Sequence, residues 1–172
     1  MTRAAVILRS WIGAFLGIAS VGLAHRFLES ATDQVLIIGS FGASAVLLYG
    51  ACDSPLAQPR NLLGGHFLSG LVGVFCQQLF PDQPWLAGAL AVATATSLMQ
   101  ITHTLHPPGG ATALIAVIGS PQIHRLGYGY ALVPAELGAV ILLLIALLVM
   151  NFPNRRHYPL SLRNRRASVQ GP

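Results

Sequence analysis

Charge is what this 172-residue sequence has least of. Only 9% of its residues are Asp, Glu, Lys or Arg, and there is no lysine at all. An ordinary soluble domain carries roughly 25%. Ten arginines and five acidic residues cannot cover the surface of a water-soluble protein of this size. A soluble enzyme domain, a coiled coil and a disordered chain are therefore excluded. Cysteine is scarce too: Cys52 and Cys76 are too few for a disulfide framework or a metal quartet. Phosphate-cradling loops, dinucleotide fingerprints, zinc-protease pairs and nucleophile elbows are all missing. Five of the ten arginines fall within residues 155–172, so the net charge of +5 is largely a property of the tail. No basic, aromatic-interleaved face accompanies it, which argues against a nucleic-acid partner. What is present is 53% hydrophobic sequence with a mean hydropathy of +0.63. The chain reads as an integral membrane protein whose first partner is the lipid bilayer.

Because a charged side chain in lipid costs at least ~2.5 kcal/mol, spans are bounded by charges. The charge-free windows are Ser10–His25, Gln34–Cys52, Asn61–Pro81, Gln83–His124 and Leu137–Asn154. Pro107, Pro108, Gly109 and Gly110 break the fourth window into Trp85–Thr104 and Gly110–Gly119. Six apolar segments result, and two are short: about Ala43–Ala51 and Ala111–Gly119. Neither spans a ~30 Å core as a helix of ~1.5 Å rise per residue. They are expected as half-helices, re-entrant segments or helices completed by irregular backbone. Arg3 and Arg9 ahead of an apolar run also fit a signal peptide, but the rest of the chain is equally apolar, which favours a first span.

The expected fold is all-α: a polytopic transmembrane helical bundle over residues 1–154, followed by an Arg-rich cytoplasmic tail over 155–172. If all six segments cross, Arg26 and Arg125 face the eight other arginines. If the short segments are re-entrant, Arg60 changes side. Either count places both termini in the cytoplasm of a cell whose inner (plasma) membrane holds the protein.

The two halves, about 10–81 and 83–154, resemble each other. Gly42-Ala43-Ser44-Ala45 recurs as Gly110-Ala111-Thr112-Ala113. Ser54-Pro55 recurs as Ser120-Pro121, and Gly64, Gly73 and Val74 recur as Gly129, Gly138 and Ala139. Each unit reads long span, Gly-rich break, short segment, Ser-Pro turn, long span. With three crossings per unit the repeat is inverted. The two short helices then start near the midplane from opposite sides, the arrangement of a transporter's binding site. Helix starts attract anions through unpaired N–H groups. The candidate substrate-binding residues are therefore Gly42, Ala43, Ser44, His106, Gly109, Gly110, Ala111 and Thr112. Close helix packing through small residues is the competing explanation.

These same residues carry a family resemblance. His106-Pro107-Pro108-Gly109-Gly110-Ala111-Thr112-Ala113 resembles the signature of the HPP family of small integral membrane proteins. Gly39-Ser40-Phe41-Gly42-Ala43-Ser44-Ala45, Ser54 to Asn61 and Gly64-Gly65-His66 resemble its other shared block. The resemblance covers about residues 10–152. It implies a multi-span membrane protein of four or more helices, with plant and cyanobacterial relatives implicated in nitrite transport. Some relatives carry a C-terminal pair of CBS domains, which the short tail here does not resemble.

Other candidates are weaker by their chemistry. His103 and His106 sit three apart, but no carboxylate or thiol adjoins them, so neither a metal nor a cofactor is expected. His106 and Glu136 are candidates for proton coupling, since imidazole titrates near neutrality and intramembrane carboxylates are rarely idle. Arg60 is a candidate for anion steering. His66 reads most simply as an interfacial cap, and Trp11, Trp85 and Tyr158 as interfacial anchors. The sequence favours a non-enzymatic transporter or channel for a small inorganic anion, and the family resemblance implies nitrite. A non-transporting scaffold or subunit comes second. An intramembrane hydrolase using Ser40, Ser44 or Ser97 with a histidine comes last. Homo-oligomerisation stays open.

Overall fold

In the computed structural model, residues 2–32, 38–152 and 158–161 are described, the side chains of 28–32 excepted; every structural statement below concerns these. The arginines of the 155–172 tail lie outside them. Seven α-helices make up the fold: α1 (Arg3–Thr32), α2 (Ser40–Ala45), α3 (Pro59–Leu79), α4 (Pro84–Ile101), α5 (Pro107–Ile118), α6 (Pro121–Arg125) and α7 (Leu137–Asn151). No strand occurs among the described residues. Helix α2 continues into a π-helical turn, Val46–Gly50. Helices α3 to α6 each open on a proline. Proline suits that position because its missing N–H would have no helical partner anyway.

Four stretches are long and apolar enough to cross a membrane: Arg3–Phe27, Pro59–Leu79, Pro84–Ile101 and Ala131–Asn151. The two expected short segments are there as Ser40–Gly50 and Pro107–Ile118. The outer surface is apolar, with Trp11, Phe27, Trp85, Ile101 and Leu148 all exposed. In a soluble protein such a belt would drive aggregation; here it is the lipid-facing side of the bundle.

Contacts fix the direction of each element. Arg60 at the start of α3 donates to the Thr102 carbonyl after α4 (2.6 Å), and Asn61 donates to the Leu105 carbonyl (2.8 Å). The start of α3 and the end of α4 thus share one end of the bundle. Arg9 of α1 and Asp53 line a single cavity there. The end of α7 joins them through Asn151, which bonds Tyr158, which in turn bonds Ala57. From Thr102 the chain descends along α3 without helical structure, Thr104 lying against Gly64 and the His106 side chain against Gly65. Helix α5 then continues to the opposite end, where Val117 and Gly119 share a cavity with Phe80 and Pro84. Helix α2 runs the other way. It begins in mid-bundle, where Phe41 packs on Gly138, and its π turn ends beside Arg9. The two short helices therefore start in mid-bundle and point to opposite ends. Apart from the five-residue α6, long, short, long is the helix order of both halves.

Helix α3 is the centre of one side of the bundle and packs on α4 and α5, while α1 packs on α7. The inward rows of α4 and α7 repeat every four residues: Ala87, Ala91, Ala95 and Met99, then Leu142, Ala146 and Met150, all at most 1% exposed. Residues four apart share one helix face. Alanine in such a row lets helix backbones approach, and this close packing replaces the hydrophobic drive that lipid cannot supply.

Candidate functional site

Where the short helices begin, five polar side chains meet with no exposure at all: Ser40 and Ser44 of α2, His66 of α3, His106 just before α5, and Thr112 of α5. Ser40 and Ser44 are four apart, so the helix presents both hydroxyls on one face. Gly65 makes room for the incoming loop: a Cβ there would fall 2.5 Å from the His106 Cβ. Gly109 does the same for α5, since its Cβ would meet Ser69 Oγ at 2.7 Å and the Gly65 carbonyl at 2.9 Å. Phe41 meets the His66 ring edge-on, with centroids 5.4 Å apart, and the two imidazole centroids are 5.1 Å apart.

The five groups form one chain. Ser44 Oγ lies 2.8 Å from His66 Nε2 and 2.9 Å from His106 Nε2. His66 Nδ1 is 2.7 Å from Thr112 Oγ1, which is 2.9 Å from Ser40 Oγ. His106 Nδ1 is 2.9 Å from the Leu56 carbonyl. A carbonyl only accepts, so His106 Nδ1 carries the hydrogen and its Nε2, in the neutral ring, accepts from Ser44. The Ser44 oxygen then accepts from His66 Nε2–H. His66 Nδ1 is left bare and takes the Thr112 hydroxyl hydrogen; in this neutral arrangement Ser40 must donate to Thr112, the reverse of the Thr112-to-Ser40 direction that the hydroxyl geometry favours. With both imidazoles neutral, every hydrogen points toward Leu56. Burying this much polarity is tolerable because each inward-facing group is paired.

A frame holds the chain in place. Tyr130 donates to the Thr112 carbonyl (2.9 Å). Tyr158, 2% exposed, donates to the Ala57 carbonyl (2.6 Å), and Gln58 Oε1 accepts from Leu160 N (2.8 Å). The segment after α7 is thus clipped to the turn whose Leu56 carbonyl ends the chain. Burial pushes the Tyr158 hydroxyl above the ordinary tyrosine range. The interfacial-anchor reading of Tyr158 gives way to this buried clip.

The sequence candidates separate. Ser44, His106 and Thr112 are in the chain. Gly109 is buried against α3, and Gly110 is half-buried, with only Val92 within ordinary contact of a Cβ. Gly42 and Ala43 are exposed on the opposite face of α2. Ala43 and Ala111 line an apolar groove of about 370 Å³ with Pro107 and Pro108. Arg60 is bonded to Thr102 at the bundle end. Glu136 begins the last long helix, and its Oε2 is buried without a hydrogen bond. His103 is exposed in a left-handed turn (φ 54°) and does not converge with His106. Among the described residues no three His, Cys, Asp or Glu gather as metal ligands.

Two members of the chain, Ser40 and His66, were not among the candidate substrate-binding residues. The i,i+4 pair Ser40/Ser44 and the Gly64-Gly65-His66 run were the available signals. Nothing local says that the glycines face His106 rather than lipid. The expected backbone donors also prove few. Pro107 and Pro108 have no N–H, and the Gly109 N–H is spent on the His106 carbonyl (2.8 Å). In α2, the Phe41 and Gly42 N–H groups bond the Ile38 and Gly39 carbonyls. The donors at this seam are hydroxyls and imidazoles.

Comparison with known proteins agrees with this picture. Residues 1–159 match the family described as HPP, transmembrane region. A transmembrane protein of Dictyostelium discoideum is 48% identical over 158 residues, covering 88% of this chain and 54% of the relative. A second transmembrane protein of that organism is 44% identical over 153 residues, covering 87% of this chain and 49% of the relative. The chain spans about half the length of these curated relatives. No solved structure matches. The fold, the buried seam built from the two shared blocks and the match over nearly the whole chain agree: this is a multi-pass membrane protein of the HPP family.

Proposed function

We propose that this protein carries a small inorganic anion across the membrane, with nitrite, implied by the family resemblance, as the first substrate to test. The observation that carries the reading is the pair of short helices that start in mid-bundle, from opposite ends, around one buried polar cluster. Broken helices meeting at the midplane are how many transporters build their site. An anion there must exchange its hydration shell for donors. Ser44, Thr112, His66 and His106 offer them. Their complete burial makes this conformation an occluded one, opened by rocking one half against the other. The matching helix order of the halves suits an inverted repeat. Arg3, Arg9 and Arg60 share the bundle end that we assign to the cytoplasm. Arg60, although bonded to Thr102, keeps an exposed position from which to attract anions.

Nitrite flux into proteoliposomes containing the purified protein tests the reading. Thr112→Val keeps the shape and deletes one donor. A hydrogen bond to a charged group is worth about 1.5–3 kcal/mol, so anion affinity should fall roughly ten- to a hundredfold. Absence of flux for nitrite, nitrate and other small anions would leave the second reading, a non-transporting scaffold. The closed hydrogen bonding of the seam favours that reading, because a complete network also serves to pin two short helices.

A further inference from the structure

Elsewhere in the bundle buried hydroxyls have other partners: Ser69 faces the Met99 sulfur and Thr104 the Thr102 hydroxyl. At the seam alone, two imidazoles share one hydroxyl. Ser44 Oγ stands between His66 Nε2 at 2.8 Å and His106 Nε2 at 2.9 Å, all three side chains at 0% exposure. We infer that His66, Ser44 and His106 form a one-proton relay, in which Ser44 hands a proton from one imidazole to the other at the centre of the bundle. As the coupling step of anion transport this rests on the transporter reading above; the relay itself does not.

The step balances. Suppose His66 holds the extra proton and carries N–H on both nitrogens. Its Nε2–H bond breaks as an O–H bond forms on Ser44. The original Ser44 O–H bond breaks as an N–H bond forms on His106 Nε2. Ser44 is neutral before and after, and the positive charge has moved from one ring to the other. Loading uses the same logic from the other side. A proton reaching Ser40 displaces its hydroxyl hydrogen to Thr112, whose own hydrogen passes to His66 Nδ1. After both moves every hydrogen in the chain is reversed: His106 donates to Ser44, Ser44 to His66, His66 to Thr112 and Thr112 to Ser40. His106 Nδ1–H keeps its bond to Leu56 throughout. The chain thus has two fully bonded polarities that differ by one proton, and the fixed acceptor at Leu56 sets which of them is neutral.

The surroundings leave this charge to the two rings. Helices α4, α5 and α7 contain no titratable side chain, and neither does α2. On the π turn, Tyr49 bonds the Leu142 carbonyl. Tyr130 bonds the Thr112 carbonyl, and Tyr158 bonds the carbonyl next to Leu56. On α3, Arg60 is held at the exposed end and Cys76 lies ten residues beyond His66. Glu136 caps the start of α7, and its buried Oε2 has no hydrogen-bond partner. With 5.1 Å between ring centroids, two charged imidazoles would repel strongly, so the pair takes one proton and shares it.

Two measurements test the relay. Nitrogen NMR of the full-length protein, labelled at histidine and held in lipid bilayers, reads which nitrogens carry hydrogen. At neutral pH His66 should be the Nε2–H tautomer and His106 the Nδ1–H tautomer. On acidification the pair should take up one proton, exchanging between the two rings, before it takes a second. The same tautomer on both rings, or two protons taken up independently, overturns the relay without any variant being made. In the same acidified sample, Ser44→Ala should abolish the exchange of the proton between the two rings, while Ser97→Ala, on the outer face of α4, should not. Exchange that survives Ser44→Ala in folded protein also overturns it. Ser44-dependent exchange with no nitrite flux would support the relay and sink the nitrite reading alone.

Discussion

The two short helices begin with nearly the same residues and are held in quite different ways. Helix α5 is twelve residues of regular helix lodged against α3 and α4. Its first two turns touch backbone: Gly109 lies against the Gly65 carbonyl, and Gly73 of α3 faces the Ala113 carbonyl. Helix α2 is six residues of α-helix followed by a five-residue π turn. Aromatic side chains seat it: Phe41 packs on Gly138 at its start, and Tyr49 holds its far end. The Tyr49 ring fills the space left by Gly13 and Gly17 on α1, and its hydroxyl donates to the Leu142 carbonyl (2.9 Å). Its other face, with Gly42, Ala43 and Val46, is uncovered. Backbone-to-backbone contact yields little, whereas a ring can swing. The contrast makes α5 the wall of the seam held by backbone contact and α2 the one held by side chains, and π turns such as the one that ends α2 are frequent at functional sites.

Breaking the Tyr49 anchor of α2 should have the largest effect. Tyr49→Ala removes a fully buried ring and should cost about 3 kcal/mol or more, by analogy with other buried aromatic truncations. Thermal unfolding in detergent micelles reads this. A small loss would mean that α2 is seated by something else. Gly109→Ala probes the backbone-held wall. Its new methyl meets a backbone carbonyl that cannot retreat, and overpacking of this kind costs ~1–3 kcal/mol. The same unfolding assay checks it, and an unchanged midpoint would show that α5 can slide.

The seam comes next. Thr112→Val strands the bare Nδ1 of His66, and leaving one buried partner unsatisfied costs roughly 1–3 kcal/mol. Combining it with Ser44→Ala should cost less than the sum of the two, because both act on one hydrogen-bonded chain. Strict additivity in a double-mutant cycle would mean that the hydroxyls act separately. Gly42→Ala should do least, within about 0.5 kcal/mol of wild type, since nothing lies within 4 Å of the new methyl. A large loss there would show that the uncovered face of α2 is covered in the membrane, by a second copy or another protein.

The legibility of this protein divides along the same line. Scarcity of charge, the spacing of arginines and the Pro-Pro-Gly-Gly break determine, without coordinates, a polytopic helical protein with two short segments. Lipid forces that outcome: spans must be apolar, and proline and glycine stop helices wherever they fall. Ser44, His106 and Thr112 were readable as candidates, and they do meet in the buried seam, because hydroxyls and an imidazole at helix starts stand out in apolar sequence. Only the tertiary structure decided that His66 faces inward. Its neighbours Gly64 and Gly65 look the same in sequence whether they face lipid or the loop before α5. Only the structure, too, replaced the expected backbone donors at the helix starts with a side-chain seam, because the acceptors that consume the N–H groups lie in the preceding loops. The fixed point of that seam is a backbone carbonyl at Leu56. Every residue has such a carbonyl, so no sequence pattern can mark it, and its role arises only from what folds against it.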